Sequence, residues 1–222
     1  MSKSSDPIYE QLKKEIIILK IKPGTMLREV DIAERFNVSR TPVRDVFVRL
    51  ERDQLVEVVS QKGTYVTKIN VDSIAEMMYI RKTIEEDVLS KLIDKITMDQ
   101  INILQLILFR QKEILTLEDF EERNNKFYEN DNKFHATMFG FVGKTGIWNI
   151  LSNLSPTYNR YRNMTYLRKI DRLQELYHYH EQILKCIKNK DKEGAIKTLS
   201  DHFYSGLSGI EDVYHMYKDY FM

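Results

Sequence analysis

Residues 37–50, NVSRTPVRDVFVRL, constrain the fold more tightly than any other stretch of the chain. Ser39 is a good helix N-cap and Pro42 falls in the first turn, where a missing N–H is tolerated. Val43, Val46, Phe47 and Leu50 recur at helical spacing and make one inward stripe. Away from that stripe stand Arg40 and Arg44, one turn apart, at the helix end where the macrodipole favours acidic groups. A helix that gathers positive charge at its N-terminus is arranged to receive something negative.

The flanking segments give this helix its setting. Residues 7–20 carry Ile8, Leu12, Ile16 and Leu19 at helical spacing behind Asp6 and Pro7, and the pattern stops before Pro23 and Gly24. EVDIAERF, residues 29–36, is a second short helix that reaches the third through a polar turn at Asn37. Beyond the third helix the β-rich runs LVEVVS and TYVTKI flank Gln61, Lys62 and Gly63, a hairpin signal. Three helices and a two-stranded hairpin, with a tight turn before the third helix, form a winged helix-turn-helix. In that arrangement Arg40 and Arg44 reach one groove of a duplex, where arginine pairs well with guanine O6 and N7. An exposed arginine pair alone is commonly a solvated face; the ordered succession of turn, cap, proline and wing favours DNA. Arg49 stands as either a phosphate contact or a salt-bridge partner. Charge agrees weakly, since residues 1–70 hold 13 Lys and Arg against 10 Asp and Glu while the whole chain nets only +1.

The stretch PGTMLREVDIAERFNVSRTPVRDVFVRLERDQLVEVVSQKGTYV resembles the DNA-binding domain of GntR-type bacterial transcription regulators, through its S-R-T-P-V-R core and glycine-tipped wing. The resemblance implies that Ser39, Arg40, Thr41 and Arg44 contact the operator, and that Lys62 and Gly63 at the wing tip reach the minor groove. Val30 stands where many members carry a basic DNA contact, and Gln54 where glycine is usual.

From Val71 onward the periodicity is helical throughout, which predicts a mainly α protein: a winged helix-turn-helix over residues 1–70, then an all-helical bundle over 71–222. Candidate helices cover 72–94, 98–114, 117–142, 146–167, 171–189 and 192–218. Several polar residues fall on inward stripes. Asp131 and His135 share the apolar face of the third of these helices with Met138; His180 lies in the stripe of Leu173, Leu176, Ile183 and Ile187; His202 follows Ala195 and Leu199. His178 points elsewhere, and His215, near the end, has no assigned role. One inward histidine is more often a satisfied core residue than a ligand. Three with an inward aspartate are harder to pair in a low-dielectric interior, and a divalent metal satisfies all four. A shell of three histidines and one aspartate suits zinc, nickel or manganese. Arg81 falls among Ile74, Met77, Ile84 and Val88, a permanent charge that needs a carboxylate. Glu85 and an acidic effector are equal candidates. Arg162 is a secondary effector candidate, with Tyr158 and Tyr161 beside it as the argument for a surface arginine.

This second part is similar to the FCD ligand-binding domain of the FadR-type branch of the same family, carrying the D-x-x-F-H signature as Asp131 to His135 and an R-x-x-I-E pattern from Arg81 to Glu85. The later histidines of that signature match His180 and His202, and the length fits the VanR-like subgroup. The resemblance implies a metabolite-responsive regulator that binds double-stranded operator DNA as a homodimer and takes a small carboxylate into a metal-containing pocket. The competing reading is a metal-dependent hydrolase using the His and Asp site, with Glu175 or Glu181 as general base; the regulator reading expects no enzyme activity. GFVGKT at 140–145 fails as a phosphate loop, because Met138 stands where the first glycine is required. The single cysteine, Cys186, excludes an internal disulfide, MSKSSDPIYE lacks a signal-peptide core, and INILQLILF is too short and too interrupted to span a bilayer. Those features predict a cytoplasmic protein with no membrane partner.

Overall fold

The computed structural model describes residues 5–154, 156–168, 170–207 and 209–222, with the side chains of all but 167, 168, 170 and 171. The chain forms two compact units, one comprising Met1–Ile74, Ser155–Asn163 and Tyr214–Met222, the other Ala75–Leu154 and Met164–Val213.

The first unit opens with α1 (Ser5–Ile17), β1 (Met26–Leu27), α2 (Glu29–Arg35), α3 (Arg40–Arg52), β2 (Val56–Val59) and β3 (Gly63–Val66). Its core holds the expected stripes: Ile8, Leu12 and Ile16 from α1, and Val43, Val46, Phe47 and Leu50 from α3. Helix α1 ends three residues before the expected limit at residue 20. Leu19 leaves the helical conformation with φ of 63° and buries its side chain beyond the helix end. Between α2 and α3, Asn37 takes φ of 52°, a left-handed conformation that asparagine adopts more readily than most residues.

The hairpin of β2 and β3 gains a strand that periodicity did not predict, because β1 is only two residues long. The sheet order is β1-β3-β2, antiparallel throughout, with Met26 opposite Tyr65 on one side and Glu57 opposite Tyr65 on the other. Gly63 sits at the wing turn with φ of 133°, a region that side chains rarely enter. Gln54 also has a positive φ, 57°, which is the physical reason a glycine suits that position.

One ion pair in this unit is buried on its acidic side. Glu15 is 2% exposed and accepts from both terminal nitrogens of Arg35, one contact at 2.8 Å, and from Gln11 at 2.8 Å. The Arg35 hydrogen bonds hold the Glu15 carboxyl below the usual carboxylate range, against the upward push of burial. Because the folded-state value is the lower one, this contribution is complete above the unfolded value near 4.5 and is lost as pH falls through the folded value. Glu15→Gln should therefore cost about 1–2 kcal/mol at pH 7, since Arg35 is partly solvated, and the deficit should shrink toward pH 3. Thermal melts of both proteins across that range check it; a deficit independent of pH would contradict the ion-pair account.

The remaining elements are α4 (Val71–Lys95), α5 (Met98–Leu115), α6 (Phe120–Phe141), α7 (Thr145–Leu154), α8 (Pro156–Arg168), α9 (Ile170–Lys188), α10 (Lys192–Leu207) and α11 (Ile210–Met216), then a 3-10 turn at Lys218–Tyr220. Helix α5 starts with a capping box in which Thr97 and Gln100 satisfy each other's backbone N–H groups, and Asp119 caps α6 by accepting from the Glu122 N–H at 2.6 Å. The single helix expected over 146–167 is two helices. Pro156 opens the second of them, as a residue that cannot donate to the preceding turn must. The helix expected over 192–218 likewise ends at Leu207 and resumes at Ile210, with Gly209 in the interval. The protein is thus mainly helical with one small sheet. No helix among the described residues is long and apolar enough to cross a membrane.

Candidate DNA-reading face and candidate metal centre

Burying its apolar stripe turns the other face of α3 outward. Ser39, Arg40, Thr41 and Arg44 are all exposed, as is Lys62 at the wing, while Gly63 is half-buried. Ser39 occupies the N-cap position without making a side-chain cap hydrogen bond. The two arginines do not await an anion unaccompanied, as the sequence suggested. Arg40 donates from Nε and Nη2 to Glu29 Oε2 at 3.2 and 2.9 Å, and Arg44 donates from Nε to both Glu29 oxygens at 3.1 and 3.0 Å. Glu29 opens α2, so this contact is tertiary and invisible to helical periodicity. With the arginine side chains 56% and 61% exposed, each bridge is worth about 0–1 kcal/mol and yields to a competing acceptor. Arg49 is more committed: it bridges to Asp6 at 2.5 Å, and its guanidinium carbon lies 3.8 Å from the Tyr9 ring centroid. Of its two open readings, the geometry provides the salt bridge.

In the second unit α6, α9 and α10 bring together the inward polar residues. Asp131 and His135 share one face of α6, His180 comes from α9 and His202 from α10. All four are buried, and each offers a ligand atom within 4.8 Å of the others. A divalent ion bound at about 2.1 Å places its ligand atoms about 3.4 Å apart in a tetrahedral shell and no more than about 4.2 Å apart in any shell, so closure asks the widest pair to draw in by about 0.6 Å or more. The imidazole centroids form a tight triangle, 5.3 Å from His135 to His180, 5.4 Å from His135 to His202 and 4.9 Å from His180 to His202.

The outer contacts orient these rings. Nδ1 of His135 lies 2.6 Å from Glu85 Oε2, and Nδ1 of His180 lies 2.9 Å from Gln111 Oε1, which turns both Nε2 atoms toward the cluster. His180 Nε2 is 3.5 Å from Asp131 Oδ1. His202 Nδ1 is buried with no hydrogen-bond partner among the described residues. Burial first, then the neighbouring His180, His135, Arg172 and Arg81, push the His202 pKa well below that of an ordinary imidazole. A neutral imidazole with an unsatisfied buried nitrogen is the form that binds a metal, so the donor set fits such an ion.

Arg81 is buried and bridges to Glu85 at 2.8 Å, with its guanidinium carbon 5.3 Å from the Trp148 ring centroid and 5.4 Å from that of Phe203. Glu85 therefore joins Arg81 to His135. Burial raises its carboxyl pKa, but Arg81 and His135 outweigh that and bring it down to about 2. Arg162 is buried in the first unit, its guanidinium carbon 5.8 Å from the Tyr158 ring centroid, so it is not a surface arginine. His178 is exposed, away from the stripe as expected, and His215 is exposed too. The two carboxylates proposed as general bases lie outside the cluster: Glu175 is exposed and pairs with Arg172 at 2.7 Å, and Glu181 is exposed and accepts from Tyr177 at 2.6 Å.

Besides Glu29, sequence reasoning missed three residues. Gln111 carried only the signal of an inward position on an apolar helix. Glu85 was legible as the partner of Arg81 but not of His135, fifty positions on. Arg160, beside the chosen Arg162, is fully buried and donates to the Thr67 carbonyl at 2.5 Å and to its hydroxyl at 3.1 Å, with burial lowering its pKa to about 10.

Comparison with known proteins places these features. Residues 4–66 match the family described as bacterial regulatory proteins, gntR family, and residues 76–205 match the FCD domain. The HTH-type transcriptional repressor RspR of Escherichia coli K12 is 27% identical over 214 residues, covering 96% of this chain and 92% of that protein. The gluconate operon transcriptional repressor of Bacillus licheniformis is 26% identical over 212 residues, covering 92% and 84%. Among solved structures, E. coli McbR/YncC shares the fold with a TM-score of 0.76 at 21% identity, covering 98% of this chain and all of the other.

Proposed function

Because the chain belongs to the GntR family of bacterial regulatory proteins and carries an FCD domain, we propose that it is a metabolite-responsive transcriptional regulator of the cytoplasm. In this reading residues 1–70 bind double-stranded operator DNA, and residues 71–222 mediate homodimerisation and hold a divalent metal with a small carboxylate effector. The observation that carries it is the outward face of α3, where Arg40 and Arg44 stand exposed beside Ser39 and Thr41 while the apolar stripe is buried. Lys62 and Gly63 supply the wing contact, and Arg49 adds a phosphate contact secondary to its Asp6 bridge. A dimer follows from DNA chemistry, since two copies reading symmetric half-sites multiply a modest single-domain specificity. We read the chain as a member of the FadR-type branch, VanR-like subgroup, a reading that its length supports.

Asp131, His135, His180 and His202 would hold the ion, zinc, nickel or manganese, and His202's partnerless nitrogen supports that assignment. Such an ion supplies Lewis-acid positions to an effector carboxylate. Arg81, a buried cation flanked by the rings of Trp148 and Phe203, adds the charge that orients a carboxylate. One relative is named as the repressor of a gluconate operon, and gluconate is itself a small carboxylate. An effector shifts DNA affinity only as far as it binds one conformation of the regulator better than the other.

The carboxylates offered as bases for the hydrolase alternative are poorly placed or poorly suited. Glu175 and Glu181 stand away from the cluster, and Glu85, with its pKa near 2 and both oxygens engaged, is a poor proton acceptor. Elemental analysis joined to native mass spectrometry on gently purified protein tests the effector half: about one zinc, nickel or manganese per chain is expected, with a mass excess from a retained acid. Protein that is metal-free and rejects all three added ions would overturn it.

A further inference from the structure

The same carboxylate meets both arginines of the DNA-reading face, and it meets them at a particular edge. Glu29 engages Arg44 through Nε alone, so neither terminal nitrogen of Arg44 makes a hydrogen bond among the described residues. On Arg40 it takes Nε and Nη2, the side edge that a phosphate would fork, and leaves Nη1 uncommitted. The terminal nitrogens of an arginine can read guanine end-on, donating together to O6 and N7. The end edge, which can meet a base, is open on both arginines, and the side edge is engaged by Glu29.

We propose that Glu29 is a specificity-determining residue, which buttresses Arg40 and Arg44 from behind so that their terminal nitrogens meet guanine, and whose charge disfavours complexes in which those arginines grip arbitrary phosphates. The inference rests on the DNA-reading function proposed above and adds a role that the arginines alone do not have. A long side chain with many rotamers loses entropy when it is fixed on a base edge; fixing it beforehand on Glu29 removes part of that cost from the specific complex. In a non-specific complex the arginines contact phosphates, and a carboxylate among them is a repulsive neighbour. Glu29 therefore acts with opposite sign on the two kinds of complex. A carboxylate that merely neutralised the arginines would weaken both.

The test compares Glu29→Gln with the parent protein on two duplexes, one selected from a random library by the parent and one of scrambled sequence and equal composition. The variant should bind the selected duplex about 5- to 20-fold more weakly and the scrambled duplex about 2- to 5-fold more tightly, narrowing discrimination from both sides. Replacing selected guanines by 7-deazaguanine should weaken the parent more than the variant, because N7 contacts depend on the buttress. Tighter binding of both duplexes would reduce Glu29 to a masking counter-ion and overturn the proposal; weaker binding of both with a lowered melting temperature would reduce it to a structural residue and overturn it too. If the parent itself selects no sequence, the DNA-reading function fails, a result distinct from either.

Discussion

Replacing Arg44 by alanine will leave a folded protein that no longer distinguishes its operator from unrelated DNA. A bidentate arginine–guanine contact discriminates by about 1–3 kcal/mol, and the proposed dimer would lose it in both half-sites, so the loss would amount to about 2–6 kcal/mol. Specific binding exceeds non-specific binding by about 4–10 kcal/mol in typical regulators, which makes the loss a large part of all the discrimination available. Stability should barely change. Arg44 is 61% exposed, its only partner among the described residues is Glu29, and an exposed bridge of that kind contributes about 0–1 kcal/mol. Gel shifts with a selected and a scrambled duplex, run beside circular dichroism melts, separate the two effects. Retained selectivity in a well-folded Arg44→Ala protein would remove α3 from the reading of bases.

What could be read from the sequence divides along a physical line. Features set by local periodicity were legible: the buried stripe of α3, the exposure of Arg40 and Arg44 opposite it, the inward histidines on three helices, and Arg81 one turn from Glu85. Each follows from 3.6 residues per turn and needs no knowledge of which helices meet. Features set by tertiary packing were not legible. Glu29 reaches arginines eleven and fifteen positions later, and Arg160 reaches Thr67 across ninety-three. The tyrosines around NRYRNMT gave no means of telling Arg160, which is fully buried, from Arg162, and the choice between them required the packing itself. Helix limits were misjudged where a single residue overrode a long pattern, as Leu19 does after α1 and Pro156 does at the start of α8.

His180→Ala should empty the proposed metal centre, and the consequence is measurable without any ligand in hand. Metal bound to the native state and not to the unfolded chain stabilises by RT ln(1 + [M]/Kd), about 4 kcal/mol at a thousandfold excess over Kd. A chelator should therefore lower the melting temperature of the parent protein and restore it on adding zinc, nickel or manganese. The variant keeps Asp131, His135 and His202, but three ligands on two helices lose the link that α9 supplied. Its metal content should fall below about a tenth of the parent's and its melting temperature should become indifferent to chelator. Substitution also leaves a cavity beside Phe134, whose ring stacks on His180 at 4.5 Å between centroids, so the variant is expected to be less stable by an amount unrelated to metal. Chelator response isolates the metal contribution from that packing loss. Gln111→Leu supplies the graded case: it removes the acceptor that orients His180 Nδ1, leaves every ligand in place, and should weaken metal binding by about 10- to 100-fold without abolishing it. Full metal occupancy in His180→Ala, with the parent's chelator response intact, would place the ion elsewhere and return the three histidines to the status of core residues.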